Sequence, residues 1–247
     1  MASKSDDRTS VPYAALDLIA TATLFVKQHY PACTAAFLAG SVVAGATTAS
    51  SDLDIVVIVP DEQPRWMTLI AFNWPIEVFV LTPETYRDAF ARNVQHRRPL
   101  LLTLCAGGVV LVNRSDLAQQ VREEAARLLV EGPPPLTEGE IAEYRHELTW
   151  MRDDFADAVD LDEARMMAPD LAVTATRVYL AYHRHWLGLG KWLLRELRAA
   201  DADQARMFTQ ALTAIYCKSD KAPLLAFADE MLDLVGGLRF GGVSGDW

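Results

Sequence analysis

Three consecutive prolines, Pro133 to Pro135 in EGPPPLTEGE, cannot lie inside a helix, because proline has no N–H to donate and its ring clashes with the preceding turn. They split the chain into two textures. Before them, short β-branched apolar runs alternate with stretches of helical periodicity; after them, apolar residues recur at spacings of three and four almost without interruption. Directly behind the prolines, Thr137 and Glu140 have the Thr-x-x-Glu spacing of a capping box, which predicts a helix start. The expected organisation is an α/β (α+β) module with a short mixed sheet over residues 1–130, a proline-rich linker over 131–140 and an all-α helical bundle over 141–247.

Within the module, VPYAALDLIATATLFVKQHY (11–30) reads as an opening helix. TAAFLAG (34–40), DLDIVVIV (52–59), IEVFVL (76–81) and GVVLVN (108–113) read as strands, being short, apolar, rich in β-branched or aromatic residues and bounded by turn formers. PETYRDAFARNVQHR, with proline in its first turn, and SDLAQQVREEAARLLVEG, with a polar cap, read as helices.

One of these strands opens on two acids. Side chains two apart on a strand share a face, so Asp52 and Asp54 present their carboxylates together. Two like charges that close repel, and a divalent cation between them relieves the repulsion; hard oxygen ligands suit Mg²⁺, which shares its shell readily with phosphates. Gly40-Ser41 ends the preceding strand, and SVVAGA reads as the first turn of a short helix whose free N–H groups favour anions. Glu77, in Ile76-Glu77-Val78, is a third carboxylate in an apolar strand, where an unpartnered charge is costly. Together these residues predict a Mg²⁺ and triphosphate site.

The order LAGS, about ten residues, DLDIVV, then PIEVFV resembles the DNA polymerase β-like nucleotidyltransferase superfamily. The resemblance implies that the α/β module is a nucleotidyltransferase catalytic domain. It also implies that Asp52 and Asp54 bind the metal that grips the phosphates, that Gly40 and Ser41 contact those phosphates, and that Glu77 is a third metal ligand or the general base. The layout of α/β module and helical bundle resembles the small-molecule branch, the kanamycin and streptomycin nucleotidyltransferases. For such an enzyme the co-substrate is ATP or another NTP, the metal one or two Mg²⁺, and the reaction transfer of AMP to a hydroxyl of a small, cationic acceptor with release of pyrophosphate. By the same resemblance a homodimer is an inherited expectation.

In the helical half, TRVYLAYHRHWLGLGKWLL resembles a helix of the streptomycin adenylyltransferases that carries an Arg and, beyond a glycine-containing break, a Lys, both reaching nucleotide phosphates; Arg177 and Lys191 fit those positions. Glu143, Glu147 and Asp154 form an acidic stripe at spacings of four and seven. By resemblance, Glu143 or Glu147 could bind the acceptor's ammonium groups or act as its base. His183 and His185, two apart on one helix, point to different faces and do not suit a shared metal. Trp150, Trp186 and Trp192 are expected in the core.

A formal net charge of -10 argues against a general nucleic-acid binder, whose phosphate contacts need a basic face. Most of the excess acid lies in the helical half and is expected to face water. Cys33, Cys105 and Cys217, odd in number and set in apolar segments, read as buried thiols of a reducing cytoplasm. The polar start MASKSDDRTS lacks a signal-peptide core, and PLLLTLCAGGVVLV is too short to span a bilayer, so a cytoplasmic protein without a membrane partner is expected. Two other readings keep the nucleotide site: a protein adenylyltransferase of antitoxin type, and a non-catalytic nucleotide-binding sensor.

Overall fold

The computed structural model describes residues 18–45 and 51–241. They form two compact units, one running to Phe90 and adding Leu100–Leu128, the other built from Ala91–Pro99 and the chain from Leu129 onward. A five-stranded mixed sheet with helices forms the N-terminal region and helices alone form the C-terminal region, the fold class expected from the two textures.

The first unit contains α1 (Leu18–His29), β1 (Ala35–Ala39), β2 (Leu53–Ile58), β3 (Arg65–Ala71) and β4 (Trp74–Leu81). Helix α2 (Tyr86–Gln95) begins in it, α3 (Leu100–Gly107) and β5 (Val109–Asn113) follow, and α4 (Leu117–Glu131) closes it. Residues 11–17 of the expected opening helix lie outside the described residues. The strand order is β3-β4-β2-β1-β5, and every neighbouring pair is antiparallel except β2 with β4. Alternation decides which side chains meet α1: Ala22, Phe25 and Val26 of that helix share one apolar cluster with Leu38, Leu53, Ile55, Ile76 and Val78. Asp54 and Glu77, one step out of phase, point to the opposite face.

Two elements were not expected. β3 is an edge strand joined to β4 through Phe72 and Asn73, both at positive φ (53° and 61°), the conformation a two-residue hairpin turn requires. α3 covers LLLTLCAG, which is apolar on all sides and therefore carries no period. The cap expected from Ser115 and Asp116 is made differently: both take positive φ, and Asn113 Oδ1 accepts from the N–H of Ala118 at 3.0 Å. Pro83 stands in the turn before α2.

The second unit is the helical one, with α5 (Glu138–Asp157), α6 (Leu161–Tyr182), α7 (Lys191–Ala200), α8 (Ala202–Lys218) and α9 (Ala222–Leu234). The Thr137–Glu140 capping box is present and starts α5. α6 starts ahead of Pro169, under an Asp160 cap. Leu148, Phe155, Leu171, Val178, Ile215 and Phe227 anchor the core.

Three cations complete this unit by filling carbonyl groups that helix ends and turns leave open. Arg97, only 5% exposed, donates to both carboxylate oxygens of Glu140 (2.6 and 3.3 Å) and to the carbonyls of Pro134 and Pro135 (3.4 and 3.3 Å). The ammonium of Lys221 donates to the carbonyls of Phe155, Ala156 and Ala158 at 3.0, 2.7 and 2.8 Å, closing the C-terminus of α5. Arg145 does the same beyond α9, reaching Gly236, Gly237 and Leu238.

Burial inferred from residue type alone failed at several positions. Trp150 and Trp192 are exposed, the latter under the Arg195 guanidinium at 4.4 Å from its ring centre, and Cys217 is exposed. α6 ends at Tyr182, so His183 is its C-cap and His185 lies beyond the helix. Among the described residues no helix is long and apolar enough to cross a membrane.

Candidate active site

Two strands bring the acids together. Asp54 is the second residue of β2 and pairs with Ala39 of β1 on one side and with Glu77 of β4 on the other. The parallel register of β2 with β4 thus sets two carboxylates directly side by side on the face away from α1. Asp52 stands just ahead of β2. Carboxylate oxygens of Asp52, Asp54 and Glu77 all lie within 4.8 Å of one another, and all three residues are half-buried.

That arrangement has an electrostatic cost. Burial, the hydrogen bond shared with Glu77 and the neighbouring charges of Asp52 and Glu77 push the Asp54 carboxyl up to about 7 from its ordinary 3.8. A set of three oxygen ligands that repel when ionised is the donor chemistry a hard divalent cation satisfies, so the residues present fit Mg²⁺.

The Gly-Ser turn is built around Asp54. Gly40 follows the last residue of β1 at φ +80°, and a side chain there would fall on Asp54 Oδ2. Glycine is therefore required twice, for the backbone angle and for the space. Ser41 to Gly45 form a single turn in which the N–H groups of Val43 and Ala44 donate to the carbonyl of Gly40 at 3.2 and 3.1 Å. Continuation into the expected short helix falls on residues 46–50, outside the described residues. The Ser41 hydroxyl donates to that of Ser51 at 3.0 Å, tying the turn to the residue that precedes Asp52.

Trp66 was missed by the sequence reading, and so was Ser51. Trp66 lies on β3, where alternation puts Trp66, Thr68 and Ile70 on the face of the carboxylates while Leu69 and Ala71 pack on the α1 side. Thr68 is the direct cross-strand partner of Glu77, and Trp66 is its diagonal neighbour. The Trp66 indole Nε1–H donates to Glu77 Oε1 at 2.5 Å. The one signal that could have found it is Asn73, a turn former between two apolar runs, which would have paired β3 with β4 and set Trp66 beside Glu77.

The other predicted residues belong to the helical unit. Arg177 is half-buried toward the C-terminal end of α6, Lys191 is exposed at the first position of α7, and Glu143 and Glu147 are exposed one turn apart on α5. The structure brings Asp52, Asp54, Glu77 and Gly40 together; the four helical residues sit on three separate helices.

Residues 20–106 match the family model of a nucleotidyltransferase domain. The matched segment contains Gly40, Ser41, Asp52, Asp54 and Glu77, and it supports the nucleotidyltransferase superfamily and a transferase activity for this unit. Among solved structures, a nucleotidyltransferase-like protein from Exiguobacterium sibiricum is similar at 12% identity, with 86% of this chain and 74% of that chain covered and a TM-score of 0.48. No protein with a curated description matches.

Proposed function

We propose that this protein transfers a nucleoside monophosphate, AMP from ATP, to a hydroxyl group of a small cationic acceptor and releases pyrophosphate. The convergence of three carboxylates beside a Gly-Ser turn carries this reading.

Asp52, Asp54 and Glu77 would hold Mg²⁺, whose charge would neutralise phosphate oxygens and the developing negative charge on the leaving group. The Gly40-Ser41 turn would offer a phosphate the Ser41 hydroxyl in exchange for its bond to Ser51. The acceptor oxygen attacks the α-phosphorus in line, a new P–O bond forms, and the bond to the β-phosphate breaks. The hydroxyl proton passes to an acid, Glu77 or one of Glu143 and Glu147. Arg177 and Lys191 contribute positive charge to the phosphates as the leaving group separates. The exposed acids of α5 favour a cationic acceptor, in the manner of an aminoglycoside-like antibiotic.

A pyrophosphate-release screen tests the reading. Four nucleotides are offered against aminoglycosides, lincosamides and simple polyols, with Asp52→Asn and Asp54→Asn as controls. Release that depends on both nucleotide and acceptor, and that vanishes in each variant, is the expected result. Undiminished turnover in both variants would sink the metal assignment.

A further inference from the structure

The Trp66–Glu77 hydrogen bond is not explained by sheet formation. An exposed indole on an edge strand has water for its N–H, yet this one is directed at a carboxylate of the acidic cluster. Indole N–H is a donor only, so the partner must supply a lone pair, and a carboxylate oxygen is the strongest acceptor within reach. Glu77 has three rotatable side-chain bonds, and cross-strand pairing with Thr68 and Asp54 fixes only its backbone. Its carboxylate also shares a hydrogen bond with Asp54, so it is held from the β2 side by Asp54 and from the β3 side by Trp66.

We infer that Trp66 is a positioning residue which, through its indole N–H, holds the Glu77 carboxylate in place as the third ligand of a divalent cation shared with Asp52 and Asp54. The inference rests on the nucleotidyl-transfer reading and deepens it, because it assigns Glu77 to the cation and leaves proton removal to another acid. The geometry supports it in two ways. Trp66 reaches Glu77 along the sheet surface from the side opposite Asp54, since β4 lies between β3 and β2. The bond takes up Oε1 from that side, which favours one orientation of the carboxylate before any cation arrives. Hydrogen-bonded partners of ligating carboxylates behave this way in metal sites generally, and their loss costs about 10- to 100-fold in metal affinity.

The test uses the purified full chain and Mn²⁺, with bound ion measured by the loss of the free Mn²⁺ electron paramagnetic resonance signal. Trp66→Phe and Trp66→Leu, which both lack the N–H, should weaken Mn²⁺ binding about tenfold. Ile70→Val, at the other diagonal neighbour of Glu77 and without a hydrogen-bond donor before or after the change, should bind as the parent chain does. A second readout is spectroscopic: Mg²⁺ should shift the tryptophan emission of the parent chain, and the shift should be absent in Trp66→Phe. If Asp54→Asn and Glu77→Gln lose Mn²⁺ while both Trp66 variants keep the parent affinity, the role of Trp66 is overturned and the cation site stands. If the parent chain binds Mn²⁺ no better than Asp54→Asn, the cation site and the role of Trp66 fall together.

Discussion

The carboxylate of Asp54 fills the space that a side chain at Gly40 would occupy, so the phosphate turn and the cation ligand are packed against each other through a missing Cβ. The turn and the acid are one device.

Gly40→Ala should therefore damage both. The positive φ and the collision with Asp54 together are expected to cost about 2 kcal/mol of stability, within the range for strained backbone positions. Displacing Asp54 should also remove Mn²⁺ binding. Urea unfolding and the Mn²⁺ titration measure the two effects, and Gly45→Ala, whose added Cβ meets nothing within 4 Å, is the comparison for backbone strain alone.

Asp54 should make the metal-free protein less stable as pH rises. Its carboxyl is raised to about 7 when folded, from an ordinary 3.8, so between those values the folded state holds the extra proton. That contribution is present at low pH and is lost as pH climbs through about 7. In EDTA the melting temperature is expected to fall between pH 5.5 and pH 8, and the fall should be smaller in Asp54→Asn. Added Mg²⁺ should restore stability at pH 8 far more than at pH 5.5.

Glu140 should behave in the opposite sense. Burial acts to raise its carboxyl, but hydrogen bonds from Arg97 and Thr137 outweigh that and hold it below the ordinary range. Its stabilising contribution is present above the unfolded pKa and is lost as pH falls through the folded one. Glu140→Gln should flatten the acid limb of the stability curve. Arg97→Met, which removes the buried guanidinium and leaves the Pro134 and Pro135 carbonyls without that donor, is expected to cost about 3 kcal/mol.

Lys221 spans the end of α5 with three bonds to carbonyls from a single ammonium group. Lys221→Met keeps the aliphatic stem and deletes the charge, and about 2 kcal/mol of unfolding free energy should be lost. Guanidinium chloride unfolding reports it.

Much of the module was legible because burial and chemistry spoke at the same residues. β1, β2 and β4 announce themselves as apolar runs, and Asp54 and Glu77 stand out within them as acids at positions otherwise reserved for Ile and Val. β3 was opaque for the converse reason. At the sheet edge its outward residues Trp66 and Ile70 are exposed and apolar, so RWMTLIA shows no apolar-polar alternation to read. Trp66 was lost with it. α3 hid because a helix apolar on every side has no stripe. Trp150, Trp192 and Cys217 were misjudged because residue type indicates average burial, whereas exposure follows from which side of a helix a position falls on. The helical residues Arg177, Lys191, Glu143 and Glu147 were read from resemblance and charge, and nothing local to their helices distinguishes them.

The parallel pairing of β2 with β4 also bears on the time course of folding. β3 and β4 meet through a two-residue hairpin, so that pair can form from neighbouring chain. Joining β4 to β2, like joining β5 to β1, is a less local event and a slower kind of closure. Joining β4 to β2 also drives Glu77 against Asp54, so the mutual repulsion of the acids opposes that closure. A divalent cation present during refolding should therefore speed that step as well as stabilise its product, and the site would act as a checkpoint on its own scaffold.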